Sequence, residues 1–431
     1  MSRTFAALRV RNYRLFAAGS LVSNTGTWMQ RVAQDWLVLV LTGSAGALGI
    51  TTGLQFLPTL LLSAYAGVLA DRFPRRAILI VAQLSMGLTA AALGILAVTG
   101  TVQTWHVYLL AFLFGTASAF DVPARQAFVN EMVPQQQLAN AIGLNSASFN
   151  LARMTGPALA GALITWMGSG VSATGWVILL NALSYGAVLV AMARIRTSEL
   201  TQAKQLTSSK GQLRAGIRYV KSRPDIMLVM AIVFCAGTFG LNFQMTTALM
   251  ATDVYGKGAG EYGMFGSILA AGSLAGSLVA ARRISSRQRL VVISAATFGL
   301  VEIVTGLMPS YLLFAAMLPL CGFAALTMVT AANAFVQMSV AEHMRGRVMA
   351  LYMMIFMGGT PVGAPALGWI SDRFGARWTL VGGGALTTAG TLLAALTLGR
   401  LQGVRIAADW ESRPRVRLTY GEAAVMTDTL G

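Results

Sequence analysis

The chain has 431 residues, 55% of them hydrophobic and only 11% charged, with a formal net charge of +17. Ordinary soluble domains carry about a quarter charged residues, so a soluble enzyme is excluded, and the apolar fraction excludes a disordered chain. Two cysteines and two histidines, Cys235, Cys321, His106 and His343, exclude a disulfide scaffold and leave little for a metal site.

A bilayer-crossing helix needs roughly 20 mostly apolar residues. On that measure twelve spans are expected, near residues 14–41, 46–70, 77–99, 104–122, 138–165, 175–193, 226–250, 262–281, 290–308, 311–336, 347–370 and 378–399. Spans 1, 4, 5 and 10 are less uniformly apolar than the others. The basic N-terminus precedes a span too long and polar for a cleavable signal peptide. Of the 32 Lys and Arg residues, 27 fall in the segments that share a side with the N-terminus. Three, Lys257, Arg373 and Arg377, fall on the other side, and Arg31 and Arg153 lie within spans. This asymmetry predicts that both termini are cytoplasmic, and it accounts for the positive charge without nucleic acid.

Span 1 carries Ser20, Asn24, Thr27, Arg31, Gln34 and Asp35 at helical spacing, a polar stripe along one face. Ionisable groups in a span are costly and mark substrate or proton pathways. The low dielectric disfavours the charged form of Asp35, which makes it the leading proton-carrier candidate. Arg31, Asn24, Gln34 and Arg153 join it in the expected substrate pathway, with an Arg31–Asp35 ion pair expected one turn apart. A purely structural pair pinning span 1 to a neighbour is the other reading. Arg153 in span 5 is expected to partner Asp121 or Asp35, while Asp121 and Arg125 are expected at the inner end of span 4. Asn242 and Gln244 in span 7, and Asn333 and Gln337 in span 10, are weaker cavity candidates. Glu302 is a remote possibility as a proton site in span 9.

Residues 194–225 form a polar, basic segment that divides the chain into 1–193, a linker, 226–399 and a tail of 400–431. Within it Gly211–Lys221 reads as an amphipathic helix, lying on the membrane surface or serving as a plain linker. A repeat spans the divide. Ala127-Phe128-Val129 recurs as Ala334-Phe335-Val336, an offset of 207, and Gly156 and Gly161 recur at that offset as Gly363 and Gly368. Two parallel six-helix repeats are one known transporter architecture.

The 2–3 loop, Gly67-Val-Leu-Ala-Asp71-Arg72-Phe-Pro74-Arg75-Arg76, resembles the signature loop of the major facilitator superfamily, departing from it at Pro74. That resemblance implies the twelve-helix, two-half fold and a latch on the cytoplasmic side. In it Gly67 permits close approach and Asp71, with Arg72, Arg75 and Arg76, meets the start of span 11 near Arg345 and Arg347. The copy of the motif at Gly368–Arg377 lies on the opposite side, where it is expected to take no part in that latch. Gly143, Gly156, Pro157 and Gly161 in span 5 are similar to the superfamily's exporter motif, a match loosened by Ala152 and Ala160. The N-terminal run, Asn12-Tyr13-Arg14-Leu15-Phe16 with Gly26-Thr27-Trp28-Met29, resembles the siderophore and drug exporter branch. The arginine that drug antiporters often carry in span 4 is missing.

The resemblance implies a proton-coupled exporter of small amphipathic molecules in the bacterial cytoplasmic membrane, with an importer or uniporter as the alternative. The expected partners are lipid, a small-molecule substrate and protons. No cofactor, metal or nucleic acid is expected, the chain is expected to be a monomer, and neither a membrane enzyme nor a receptor fits.

Overall fold

A computed structural model describes residues 3–201, 212–281, 287–401, 405–408 and 416–419. Twelve long helices and one short one make up the bundle, among the described residues. The first six are α1 (Arg11–Thr42), α2 (Ala45–Arg72), α3 (Arg75–Val98), α4 (Thr104–Met132), α5 (Gln135–Trp166) and α6 (Val171–Arg194). The short α7 (Gln212–Lys221) follows the linker. The second six are α8 (Pro224–Val254), α9 (Ala259–Ala281), α10 (Gln288–Gly306), α11 (Tyr311–Ser339), α12 (Glu342–Phe374) and α13 (Arg377–Leu401). A two-stranded antiparallel hairpin, Arg405–Ala408 with Val416–Thr419, lies in the tail.

The turns are short because the sequence stops each helix sharply. Gly43 adopts a left-handed conformation and closes α1, and the Ser44 hydroxyl accepts from the Ala47 amide to start α2. Pro74 and Pro134 lack an amide hydrogen, so each fits at a helix start. Pro74, the departure from the signature loop, is thus the residue that turns the chain into α3. Span 4 is longer than expected. Helix α4 runs on to Met132, which places Arg125 inside the helix rather than in the loop. Spans 7 and 11 are also longer, and both are irregular. Helix α8 contains two π-helical turns, Ala236–Gly240 and Met250–Val254, and α12 is interrupted near Gly359 and Pro361.

Ten of the long helices are apolar enough to cross a membrane. The other two, α1 and α5, are two of the four expected to be less apolar, and they carry Arg31, Asp35 and Arg153. Both pack within the same bundle.

The pairings of the first six helices recur in the second six: α1 with α6 as α8 with α13, α2 with α4 as α9 with α11, and α3 with α6 as α10 with α13. Glycines set the closest approaches. A Cβ on Gly115 would strike the Gln55 carbonyl of α2, and one on Gly322 would strike the Leu269 carbonyl of α9. The two glycines stand 207 residues apart, the offset seen in the sequence.

The bundle has two ends. At one, the N-terminus, the α4–α5 turn and the linker meet: the Ala7 amide donates to Asn140, Asn12 bonds Arg196, and the Thr201 amide donates to the Glu131 carbonyl. This is the basic end. At the far end, Trp36 donates to the Ser169 carbonyl and Arg377 to the carbonyls of Gly306 and Met308. Helix α7 packs on the start of α12 through Gly216, which faces Leu351 and Arg347, and the Ala341 amide donates to Tyr219 at 3.3 Å. The side chain of Leu213, and the central residues 202–211, lie outside the described residues.

Candidate functional site

The six-helix groups meet most closely at the far end. The glycine repeat makes this possible. In α5, Gly156 seats on α1, where a Cβ would lie 2.6 Å from Trp28 Cβ, and Gly161 seats on the start of α9, 2.5 Å from the Ala259 carbonyl. In α12 the equivalent Gly363 seats on Thr238 of α8, and Gly368 on the start of α2, 2.6 Å from the Ala45 carbonyl. In each repeat the first glycine closes contact within its own group, and the second closes contact across the seam. Pro157, with no amide hydrogen of its own, lies against Gly266 of α9, and the next amide, Ala158, donates to Ser267 of α9 at 3.1 Å. Gly143 and Gly67 differ: nothing lies within 4 Å of a Cβ built on either, so the close approach expected at both is not made in this structure.

Asp35 bridges the seam. Its carboxylate is 4% exposed, and Oδ2 accepts from Gln244 Nε2 of α8 at 2.8 Å and from the Tyr262 hydroxyl of α9 at 2.7 Å. Gln34 beside it bonds Gln55 of α2 at 3.1 Å. The expected ion pair with Arg31 is not formed: no ion pair joins them among the described residues. The Arg31 guanidinium instead lies over the Trp28 ring, 4.6 Å from its centre, and near Phe56 at 5.7 Å. Its Nε is buried with no hydrogen-bond partner. Arg153 likewise pairs with neither Asp121 nor Asp35, and sits 5.8 Å from the centre of the same Trp28 ring.

The rest of the polar stripe is divided among separate neighbours. Ser20 accepts from Arg125, Thr27 meets the Tyr185 hydroxyl at 3.0 Å, and Asn24 is half-buried. Asp121 and Arg125 form an ion pair at 3.0 Å inside the first six helices, with Gln83 of α3 donating to Asp121 at 2.6 Å. Both lie in that interior. Asn242 donates to the Thr238 carbonyl at 2.8 Å beside the interruption in α8, and Asn333 and Gln337 bond one another on α11. Glu302 is fully buried, against Gly240 and Gly383, and neither of its oxygens has a hydrogen-bond partner.

The two copies of the signature loop behave differently. At the basic end Arg75 pairs with Glu131 at 2.7 Å, and Arg76 donates twice to the Met192 carbonyl. Both stitch α3 to its own group, and Arg72 is exposed. The side chain of Asp71 lies outside the described residues, as do Arg282 and Arg283. At the far end the second copy is a seam contact. Asp372 accepts from the Ser44 hydroxyl at 3.2 Å and from the amides of Ala45 and Gly46 at 2.9 Å each. A carboxylate on free amides at a helix N-terminus gains both hydrogen bonds and the helix dipole. As expected, this copy takes no part in a basic-end latch; it makes a contact of its own, joining α12 to α2 at the opposite end. The Asp-Arg-x-Gly pattern was the signal that could have revealed it.

The profile of the transmembrane secretion effector family matches residues 2–420. The chain is 28% identical to the multidrug efflux pump Tap of Mycolicibacterium fortuitum, over 85% of this chain and 90% of that protein. It is 23% identical to the staphyloferrin A transporter of Staphylococcus aureus, over 84% and 90% of the two chains. It is 22% identical to macrolide efflux protein A of Streptococcus pyogenes, over 85% and 91%. Among solved structures, a bacterial homologue of the human lysosomal transporter Spinster superposes with a TM-score of 0.68 at 16% identity, covering 90% of this chain and 97% of the other. A D-xylose–proton symporter superposes with a TM-score of 0.69 at 12% identity, covering 88% and 97%. With the family profile spanning nearly the whole chain and the twelve-helix fold shared, this multi-pass membrane protein belongs to the transmembrane secretion effector family of major facilitator transporters.

Proposed function

We propose that the protein exports small amphipathic molecules in exchange for protons, by alternating access, with its basic end and both termini in the cytoplasm. The observation that carries this reading is Asp35: a carboxylate of one half, buried at the seam and held by two donors of the other. Hydrogen bonds to an ionised group are stronger than neutral ones, so the protonation state of Asp35 sets the strength of the far-end seal. In the sealed form the ionised carboxylate keeps the empty carrier closed to the outside. Substrate entering from the basic end competes for these contacts and opens the far end. A proton taken up there by Asp35 displaces the substrate and neutralises the carboxyl, which can then re-enter the buried seam. Re-forming the two bonds to the ionised group releases the proton towards the basic end. The same group thereby answers to both ligands, which is what exchange requires.

The relatives named for multidrug, siderophore and macrolide transport support a substrate of this general size and a direction of export. The cytoplasmic placement of the basic end rests on the distribution of Lys and Arg. A single copy of the chain supplies both halves of the pathway, so a monomer is sufficient, and no group in the proposed cycle calls for a cofactor.

The test is efflux from proteoliposomes with an imposed proton gradient. The Asp35→Asn protein is expected to lose uphill efflux and to keep downhill exchange of substrate, because the amide keeps the size of the side chain but carries no transferable proton. Uphill efflux at the wild-type level by that variant would remove Asp35 as the coupling group.

A further inference from the structure

Two cations lie one turn and more below the seal with no anion to match them. Arg31 and Arg153 are both half-buried, and both guanidiniums lie within 6 Å of the centre of one ring, Trp28. The carboxylates that the sequence offers as counterions are engaged elsewhere, Asp35 with Gln244 and Tyr262, and Asp121 with Arg125. No ion pair reaches either arginine among the described residues, and Arg31 Nε is buried without an acceptor. A guanidinium holds its charge throughout and presents a planar fork suited to an oxyanion. Inside a membrane protein such a group ordinarily finds a partner.

The surroundings add an apolar surface. Trp28 meets Phe149 edge to face at 5.9 Å, and Phe149 is 46% exposed, so the aromatic pair is not closed over. The ring centre of Phe56 of α2 lies 5.7 Å from the Arg31 guanidinium. The repeat shows that the fold does not need these charges. At the 207-residue offset that aligns the glycines of α5 and α12, Thr360 stands in place of Arg153.

We propose that Arg31, Arg153 and Trp28 form the substrate's recognition site, and that the substrate carries an oxyanion, such as a carboxylate, on an aromatic body. The arginines take the oxyanion and the ring takes a flat apolar face. This proposal rests on the transporter reading, and names the chemical class of what is carried.

The experiment measures equilibrium binding to the purified full-length protein in phosphatidylcholine nanodiscs, with no proton gradient, so its outcome is independent of whether Asp35 couples transport. The probes are dansyl-glycine and dansyl-cadaverine, which share a fluorophore and differ in charge, read by energy transfer from tryptophan. Dansyl-glycine is expected to bind at least about tenfold more tightly, a difference of about 1.4 kcal/mol. The doubly substituted protein, Arg31→Gln with Arg153→Gln, is expected to lose that preference while still binding dansyl-cadaverine, which shows that it is folded. The Arg31→Lys, Arg153→Lys protein is expected to retain most of the preference. Equal affinity of the wild type for the two probes, or an undiminished preference in the Gln variant, would overturn the proposal. So would loss of dansyl-glycine binding in phosphatidylglycerol nanodiscs, because the oxyanion would then be a lipid headgroup and not a transported molecule.

Discussion

The two six-helix halves share a framework and differ in what they bury. Gly115 and Gly322, Gly156 and Gly363, and Gly161 and Gly368 occupy matching crossings. The ionisable groups of α4 and α5 do not repeat. At the same offset, Asp121, Arg125 and Arg153 give way to Met328, Ala332 and Thr360. Helix α1 carries Arg31 and Asp35 mid-helix, whereas α8 has no charged residue between Asp225 and Asp253. What repeats is what packing needs, and what does not repeat lies, for these groups, in the half to which the proposed cycle assigns the coupling carboxylate. The second half contributes neutral donors, Gln244 and Tyr262, to a carboxylate that belongs to the first.

The sharpest way to break this comparison is to attack the framework at the seam. Gly161→Leu would place a side chain where even a Cβ lies 2.5 Å from the Ala259 carbonyl. Transport is expected to be abolished, and Gly368→Leu is expected to match it, because the two glycines do the same work in opposite halves. Substrate efflux from cells with normal membrane levels of each variant checks this. Wild-type efflux by either would show that the repeat is not a shared seal.

The next effect is chemical and one-sided. Tyr262→Phe removes a donor from Asp35 and leaves the packing. A hydrogen bond to a charged group is worth about 1.5–3 kcal/mol, so the sealed population is expected to fall by about tenfold or more. Labelling of a cysteine introduced at Thr52, a half-buried residue of α2 beside its crossing with α12 whose hydroxyl bonds only its own helix, by a reagent that does not cross the membrane, reads this from outside. Asp372→Asn is expected to act in the same direction and less strongly, because losing a helix cap costs about 1 kcal/mol. An effect of Asp372→Asn larger than that of Tyr262→Phe would move the centre of the seal from Asp35 to the α2 cap.

The smallest effect on the seal is expected at the basic end. Arg75→Gln breaks the largely buried bond to Glu131 within one half, a contact expected to contribute about 1.5–3 kcal/mol to folding stability and nothing to the seam. It should lower the melting temperature and leave the outside labelling at position 52 unchanged. A changed labelling rate would show that the basic-end stitching also governs the seam.

Much of the fold was legible because hydropathy, Gly/Pro breaks and the Lys/Arg asymmetry act locally along the chain. The glycine repeat was visible as Gly156–Gly161 and Gly363–Gly368, and both pairs serve the seam in the structure. Asp35 was visible as a carboxylate inside a span. Its partners were not. Helical spacing favoured Arg31, four residues away, but Gln244 and Tyr262 reach Asp35 from helices more than 200 residues distant, and Trp28 offers the arginine an alternative. The Asp-Arg-x-Gly pattern marked Asp372 itself, but its partners were hidden for the same reason: they are the hydroxyl and backbone amides of another helix. The end of α4 was missed because Asp121 and Arg125 look like charges at the end of a span until each is seen to neutralise the other inside the bundle.

The central claim is that Asp35 of one half holds the far-end seal through donors of the other. It is tested most directly by distance measurement between spin labels placed across that end, on the exposed Met167 at the end of α5 and Arg373 of α12, in liposomes over a range of pH. The wild type is expected to shift between a short, sealed distance and a longer one as pH changes, and the Asp35→Asn protein is expected to show one pH-independent distribution. The same pH-driven shift in the Asp35→Asn protein would contradict the account.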